Sequence, residues 1–279
     1  MDINIIKDEL NNKFLSNIDN MKVKKSLLYG VADMVPIEAP TYLLQTLFYK
    51  NNELDFKQKE INVGDESNTL EISFDYITIE KIVDIKKYSK YKDVIEKIFN
   101  LYQTQLAYMQ DNKLMELLKN SSNIETLVNI SEEDFFNKGI KFIYNASKEL
   151  AKLPLSDIRS QRGFIVVNTE IASILGSLKM LKDEDRYVNF NNYIGTFNNL
   201  DIFVNFDNNF NSKKEFYIGI LGDSVTKGSV IYLPYKQFFI TTLNNNAETK
   251  LILKNRSIIT TNPYHDNGKD MLVKGTYVL

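Results

Sequence analysis

The residues best suited to chemistry are one serine and the only histidine of the chain. Ser224 ends a Gly-Asp-Ser triplet at residues 222–224, and His265 lies downstream of it. A serine becomes a nucleophile when an imidazole accepts its proton and a carboxylate orients that imidazole. Asn262 stands three residues before His265, where the carboxylate would be needed, and its neutral amide cannot serve. A polar turn between two strands is therefore the favoured interpretation of residues 222–228.

The triplet resembles the nucleophile block of SGNH-type esterases, which would make Ser224 the nucleophile and a late Asp-x-x-His pair its base. In that family the nucleophile follows the first strand, whereas Ser224 lies near the end of this sequence. Ser224 and Lys227 also match the Ser-x-x-Lys of penicillin-binding enzymes, but residues 274–276 read Lys-Gly-Thr instead of Lys-Thr-Gly. The glycine-rich phosphate-loop motif is absent as well. An esterase built on Ser224 stays a distant alternative.

Composition excludes several further kinds of site. The chain of 279 residues has no cysteine and one histidine, which excludes disulfide scaffolds, thiolate metal sites and sites with two imidazoles. The acidic runs at 132–134 and 183–185 are typical of helix caps and solvated turns. Lysines cluster at 22–25 and 86–92, yet the net charge of −2 shows no basic excess for nucleic-acid binding. We expect no enzyme activity, no cofactor and no metal.

The chain must therefore be interpreted from its structural elements. Residues 1–25 are polar and predict an arm that lies on a partner. Pro36 and Pro40 favour extended backbone into a strand-like run at 41–49. Gly64-Asp65 lies between two flanks, and Leu70, Ile72, Phe74 and Tyr76 alternate with polar residues, which predicts a long β-hairpin from Leu54 to Ile85. Such a hairpin carries little core of its own and needs another surface to cover it.

The middle of the chain carries the helical signals. Apolar residues at three- and four-residue spacings predict a long helix over 93–119. A second helix is predicted from Ser131, with an apolar stripe formed by Phe135, Phe136, Ile140, Ile143, Tyr144 and Leu150. Residues 163–167 predict a buried strand, after which Asn168 caps a helix over 169–178. Further strands are predicted at 193–206, 215–221, 229–242, 250–261 and 271–279.

The order of these elements resembles the major capsid proteins of tailed phages, the HK97 fold, and in particular their T-even-phage-like branch. The resemblance spans residues 26–279 and depends on the order of short matches. The matching segments are residues 32–49, 162–168, 193–204, 216–220, 227–235, 261–264 and 273–277.

This resemblance implies an α+β fold with an N-terminal arm (1–25), a peripheral-domain strand (26–50) and an extended E-loop hairpin (51–87). It further implies a peripheral domain with a spine helix (88–124), an axial domain (125–245), and C-terminal strands (246–279) that return to the peripheral domain beside residues 27–49 and the hairpin. Contacts between subunits would involve the E-loop and the arm, through Ile61, Gly64, Leu70, Ile72, Phe74, Ile5 and Phe14.

The function that the resemblance implies is a shell subunit. Copies would assemble as pentamers and hexamers into the icosahedral head of a tailed phage, around non-specifically packaged double-stranded DNA. Scaffolding, portal and decoration proteins are the expected partners. An encapsulin-like nanocompartment shell and a minor vertex protein of the same fold stay open as alternatives. The N-terminus lacks a signal-peptide pattern and no apolar run is long enough for a membrane span, so we expect assembly in the host cytoplasm and no membrane partner.

Overall fold

The computed structural model describes most of the chain from residue 26 onward. The described residues are 8, 26–50, 53–62, 67–75, 90–122, 124–131, 134–154, 162–178, 180–187, 190–222, 227–245, 248–264 and 271–279. The predicted arm, apart from Asp8, lies outside these residues, as do Ser224 and His265.

Helices and strands both contribute to the fold, which confirms the α+β class. The helices are α1 (Leu28–Val31), α2 (Lys90–Ser121), α3 (Phe135–Lys152), α4 (Thr169–Gly176) and α5 (Asn208–Asn211), with a 3-10 turn at Asp185–Tyr187. The strands are β1 (Asp33–Met34), β2 (Thr41–Lys50), β3 (Glu53–Asn62), β4 (Ser67–Asp75), β5 (Ile124–Asn129), β6 (Arg162–Val167), β7 (Tyr193–Phe197), β8 (Leu200–Val204), β9 (Glu215–Leu221), β10 (Val230–Asn245), β11 (Glu248–Thr261) and β12 (Leu272–Val278). The strands predicted at 215–221, 229–242, 250–261 and 271–279 are confirmed, with small changes at their ends, whereas the predicted 193–206 strand is divided into β7 and β8, which pair antiparallel across a turn at Asn198 and Asn199.

Two of the helical predictions are confirmed. Helix α2 contains the whole of the predicted 93–119 segment, and its 32 residues give it a length of about 48 Å. The predicted strand–helix unit is also present, because β6 is followed directly by α4. Asn168 caps α4 by accepting a hydrogen bond from the Ile171 N–H at 3.1 Å.

The start of α3 and part of its apolar stripe are corrected. Asp134, rather than Ser131, caps this helix, and its carboxylate accepts from the Asn137 N–H at 3.3 Å. Ile143 and Leu150 are buried as predicted, but three aromatic residues of the stripe point outward, namely Phe135, Phe136 and Tyr144. The inward face is completed by smaller residues and one ring, namely Gly139, Ala146 and Phe142.

A six-stranded mixed sheet forms the centre of the molecule, in the order β5-β12-β9-β6-β8-β7. Helices α3 and α4 cover one face, where Phe142, Ile165 and Ile218 are completely buried. Helices α1 and α2 cover the other face, where Phe164, Phe203 and Leu114 are completely buried. Burial on both faces explains why β6 is a nearly continuous apolar run.

Two smaller sheets lie beside this centre. One has the order β1-β10-β11-β4, and it is dominated by the long antiparallel pair of β10 and β11. The other is a two-stranded hairpin in which Thr41 pairs with Asn62 and Lys50 with Glu53. The hairpin is attached through a small apolar cluster that includes Leu44 and residues Ile231 and Leu233 of β10.

The predicted hairpin at 51–87 is wrong in its pairing. Residues on the two sides of Gly64 belong to different sheets, because β3 pairs with β2 and β4 pairs with β11. The observed hairpin spans residues 41–62, so the run at 41–49 is its first strand and not a lead into it. Two strands next to the same turn signal can each find a better partner elsewhere, and β11 offers β4 nine successive residue pairs.

The predicted position of the last strand is also wrong. Strand β12 lies between β5 and β9 inside the six-stranded sheet, and not beside residues 27–49. Its residue Gly275 lies directly opposite Phe216 of β9. Strand β11 does return toward the predicted E-loop region, because it pairs with β4.

Candidate assembly surfaces

One face of the β2–β3 hairpin is exposed and carries two large apolar side chains among polar ones. Leu44 and Ile61 point inward and are buried in the chain's own core. Leu43 and Phe56, on the opposite face, are 48% and 54% exposed. Among the strands that the structure describes, neither edge of the hairpin pairs with a larger sheet. The hairpin therefore presents two apolar side chains and two edges to whatever lies next to it.

The residues predicted to contact neighbouring subunits fall into three groups: one in the hairpin, three on strand β4 and three outside the described residues. Ile61 is 4% exposed and packs in the apolar cluster of its own chain, so little of its side chain is open to a neighbouring subunit. Leu70, Ile72 and Phe74 lie on β4, an edge strand whose inner side pairs with β11. The remaining three lie outside the described residues, namely Gly64, Ile5 and Phe14.

The described residues on either side of the catalytic candidate Ser224 lie in a hydrogen-bonded junction. Ser229 Oγ accepts from the Ile220 N–H and donates to the Met271 carbonyl, both at 2.7 Å. The Gly228 N–H donates to Asp33 at 2.7 Å, and Asn262 Nδ2 donates to the Gly228 carbonyl at 2.9 Å. These bonds connect the two larger sheets. Asn262, which stands in the esterase's carboxylate position, is completely buried in this backbone network.

A buried ion pair stabilises the β6–β8 side of the central sheet. Asp201 is completely buried, and the Arg162 guanidinium donates to both of its oxygens at 3.0 and 2.9 Å. The hydroxyl groups of Tyr187 and Thr196 donate to the same carboxylate at 2.8 and 2.7 Å. Burial raises the pKa of Asp201, while the three donors oppose that shift. Glu184, from the predicted acidic turn, approaches Arg162 at 3.5 Å.

A second carboxylate attaches the start of the described chain to the long helix. Asp111 on α2 accepts from Ser26 Oγ at 2.7 Å and from the Leu28 N–H at 3.2 Å. It therefore caps α1, whose own N-cap position offers no side-chain bond. Burial raises the pKa of Asp111 to about 6, against the opposing effect of its hydrogen bonds.

This raised pKa predicts a pH-dependent stability that Asp111→Asn should remove. In the unfolded chain the carboxyl titrates near 3.8, so folding favours the protonated form, and its stabilising effect is lost as the pH rises from about 4 to about 6. The asparagine still accepts from Ser26 and Leu28 but does not ionise. The free energy of unfolding of the variant, minus that of the parent, should therefore rise by about 2 kcal/mol between about pH 4 and pH 7 in urea titrations. A difference that stays constant with pH would contradict the assignment.

The remaining exposed apolar side chains lie on two other surfaces. Phe135, Phe136 and Tyr144 lie on the outer side of α3, where the Tyr144 ring makes an edge contact with Phe197 at 5.6 Å. Leu127 and Val278 lie on the neighbouring strands β5 and β12. The predicted apolar stripe of α3 assigns Phe135, Phe136 and Tyr144 to the core, because periodic apolar residues usually face inward, and the structure places them on the surface instead.

Comparison with known protein families identifies the family of this chain. The family model described as "Major capsid protein Gp23" matches residues 77–278, which is more than two thirds of the chain. The chain belongs to this family. As a tailed-phage major capsid protein it is a structural, non-enzymatic component of the virion capsid and assembles into an oligomeric shell. The T-even-phage-like branch is consistent with the match.

Solved structures confirm the HK97 fold of this capsid protein. The virus-like particle from Pyrococcus furiosus is 11% identical, with 97% of each chain covered and a TM-score of 0.58. The mature capsid of bacteriophage PhiM1 is 9% identical, with 91% of this chain and 87% of that chain covered and a TM-score of 0.53. The holo-SrpI encapsulin complex from Synechococcus elongatus is 13% identical, with 89% and 86% covered and a TM-score of 0.54. The comparison with curated proteins finds no match.

Two further observations apply to the part of this capsid protein that the structure describes. No three acidic or histidine side chains there come together in a way that could hold a metal ion. None of the helices there combines the length and the apolar character needed to cross a membrane.

Proposed function

We propose that copies of this capsid protein assemble as hexamers and pentamers into an icosahedral head around double-stranded DNA. The observation that carries this proposal is the β2–β3 hairpin, which attaches to its own chain by one face and exposes Leu43 and Phe56 on the other. A two-stranded element of this kind is marginal by itself and gains stability when another surface covers it. An identical neighbour supplies such a surface in every copy of a closed shell.

The domain division that we propose follows the sheets. The axial domain comprises the six-stranded sheet with α3 and α4, and it includes β12. The peripheral domain comprises α2 as its spine helix together with the sheet formed by β1, β10, β11 and β4. The hairpin at residues 41–62 takes the position of the E-loop in this scheme.

Contacts between subunits are proposed at the hairpin and at the edge strand β4. Leu43 and Phe56 replace Ile61 as the apolar contact residues of the hairpin. Strand β4, which carries Leu70, Ile72 and Phe74, offers an outer edge that a strand of a neighbour can extend. The arm, with Ile5 and Phe14, and the turn at Gly64 complete the proposed contact set.

The other partners are proposed from chemistry and from the family. A net charge of −2 fits weak, sequence-independent contact with packaged DNA, because a strongly basic wall would retain the polyanion. Scaffolding, portal and decoration proteins are the expected protein partners, and assembly is expected in the host cytoplasm.

Electron microscopy of the expressed protein tests the proposal. Closed shells, tubes or sheets are expected from the purified chain, and particles isolated from infected cells should contain DNA that nuclease reaches only after disruption. The similarity to the SrpI encapsulin complex keeps a nanocompartment as the second candidate, and protein cargo inside the particle would support it. A single low-copy position at the particle vertices would instead identify a minor vertex protein.

Charge on the outer face of the hairpin should block assembly without unfolding the subunit. In the variant Leu43→Glu/Phe56→Glu, both side chains are about half exposed, so the free energy of unfolding should change by less than about 1 kcal/mol. Two carboxylates buried against a neighbour would each cost several kcal/mol without a partner charge. We expect particles to disappear in sedimentation and microscopy while circular dichroism stays unchanged.

The matched control for this variant is Leu101→Glu on α2. Leu101 is 49% exposed and lies outside the hairpin, so this chain should still assemble. Normal shells from the hairpin variant would contradict the proposed contact.

A further inference from the structure

A cavity lined by aromatic rings lies beside the junction of the two larger sheets. Its volume is about 280 Å³, and it lies between the segment formed by α1 and β1, the region of the 3-10 turn and the start of β10. Four rings line it, namely those of Tyr29, Tyr187, Phe190 and Tyr232. It is smaller than the cavities that usually hold drug-sized ligands, so a small molecule or one side chain fits its volume.

Two of the four rings form a fixed inner wall. Tyr187 and Tyr232 are only 7% and 2% exposed. The Tyr187 hydroxyl donates to Asp201 at 2.8 Å, and the Tyr232 hydroxyl accepts from Gln110 Nε2 at 2.9 Å. Because each ring is buried and is also held at its hydroxyl end, this wall is in place before any ligand arrives, which lowers the entropy cost of binding.

The other two rings and one carboxylate lie closer to the surface. Tyr29 and Phe190 are half-buried, and each makes an edge contact with one ring of the inner wall, with the ring centroids 5.7 Å apart in both pairs. Asp33 is also half-buried, lines the cavity and accepts from the Gly228 N–H at 2.7 Å. No lysine or arginine is among the described lining residues. The cavity therefore combines aromatic rings with one negative charge.

We propose that this cavity binds an alkylammonium group, with the cation beside the rings and paired with Asp33. The faces of aromatic rings attract a cation, and this attraction strengthens when the site excludes water. Methylene groups next to the cation would bury apolar surface against the rings and against Leu28 and Leu221, which also line the cavity. A small metal ion would gain the charge of Asp33 but not these apolar contacts.

Two sources can supply this chemistry, namely a free amine in the cell and a lysine side chain of a neighbouring copy. Both present a chain of methylene groups that ends in an ammonium group. Lysines supply all but four of the 34 basic side chains, so they are the most abundant cations at any contact between copies. The cavity accepts the same group from either source, and the site does not depend on how the copies assemble.

Titration with n-butylammonium chloride, which has the chemistry of the lysine side chain, tests the site. Its affinity for the purified protein can be measured by ligand-observed NMR at constant ionic strength, next to that of n-butanol, which has the same carbon chain without the charge. We expect the ammonium ion to bind at least tenfold more tightly than the alcohol. In Asp33→Asn the Gly228 N–H keeps an acceptor, so the fold should be retained while the affinity for the ammonium ion falls about tenfold.

The matched control is Asp207→Asn. Asp207 is also half-buried and also accepts from a backbone N–H at 2.7 Å, that of Asn209, but it is not among the lining residues of this cavity. This variant should bind n-butylammonium as tightly as the parent chain does. Equal affinities for the ammonium ion and the alcohol, or equal losses in the two variants, would overturn the proposal.

A ring variant tests the aromatic part of the site. Tyr29→Leu keeps an apolar side chain at the cavity but removes one of the two outer rings. The affinity for n-butylammonium should fall about fivefold, while the affinity for n-butanol should change less than twofold. An unchanged affinity for the ammonium ion would also overturn the proposal.

Assembled particles distinguish the two sources. A water-soluble carbodiimide joins a carboxylate to an adjacent lysine amine as an amide. If a neighbouring lysine fills the cavity, shells made from isotope-labelled and unlabelled chains should contain Asp33 joined to a lysine of another chain, and they should not bind n-butylammonium. Shells that bind it without this cross-link would identify a free amine as the ligand. Binding in neither subunits nor shells, together with no cross-link, would overturn the proposal.

Discussion

Replacing Gly275 by alanine is expected to destabilise the subunit by about 3 kcal/mol or more. Gly275 lies in β12, directly opposite Phe216 of β9, and a Cβ at this position would overlap the Phe216 ring. The ring cannot move away easily, because Phe216 is completely buried and makes an edge contact with Phe142 at 5.0 Å. The added methyl group must therefore push apart two strands at the centre of the larger sheet.

The measurement is urea unfolding of the purified subunit, followed by circular dichroism because the chain has no tryptophan. Gly176→Ala, at the end of α4, is the matched control, since a Cβ there meets no atom within 4 Å. Alanine should be neutral or slightly stabilising at that position. Adding Phe216→Leu to Gly275→Ala should recover part of the loss, and a loss that is independent of residue 216 would contradict the proposed overlap.

Local signals predicted the central strand–helix unit, because each step of that unit is settled by neighbours in sequence. The run at 163–167 is apolar on both faces, and Asn168 caps the helix that follows within three residues. The long helix was predicted for the same reason, since its pattern continues without a glycine or a proline. For such elements, the residues within the element and next to it are enough to predict both its type and its ends.

Strand pairing was not predictable in the same way. The strand after Gly64 alternates in polarity, a pattern that fits any strand offering a complementary face, so the sequence does not show whether it pairs with the strand before Gly64 or with a distant one. The partner of β4 is β11, which lies far along the chain, and nothing in the sequence near β4 indicates this pairing. The position of β12 between β5 and β9 depends on contacts of the same long range.

Of the two buried carboxylates, only Asp201 has a recognisable signal in the sequence. Asp201 interrupts the run Leu-Asp-Ile-Phe-Val, in which all five residues are buried. A single charge inside an apolar strand requires a partner, and Arg162 is the first residue of another buried strand. Asp111 had no such signal, because an acidic residue on a long helix is usually solvated.

Removal of Arg162 is expected to be the most damaging change at the buried ion pair. Arg162→Ala removes the guanidinium that pairs with the completely buried Asp201 carboxylate and leaves the hydroxyl donors of Tyr187 and Thr196 in place, which should cost about 3 to 5 kcal/mol at neutral pH. Without the guanidinium, burial should raise the pKa of Asp201 further. Because folding then favours the protonated acid, the loss should be smallest below about pH 4 and should increase as the pH rises.

Two companion variants separate the charge from the packing. In Arg162→Ala/Asp201→Asn the neutral amide oxygen can still accept from Tyr187 or Thr196, so much of the stability lost in Arg162→Ala should return and the added pH dependence should disappear. Glu184→Ala removes only the exposed partner of Arg162, at 3.5 Å, and should cost less than about 1 kcal/mol. Urea unfolding of all three chains between about pH 4 and pH 8 gives the comparison. Equal losses in Arg162→Ala and in the double variant would mean that the arginine contributes through its packing rather than by neutralising the buried charge.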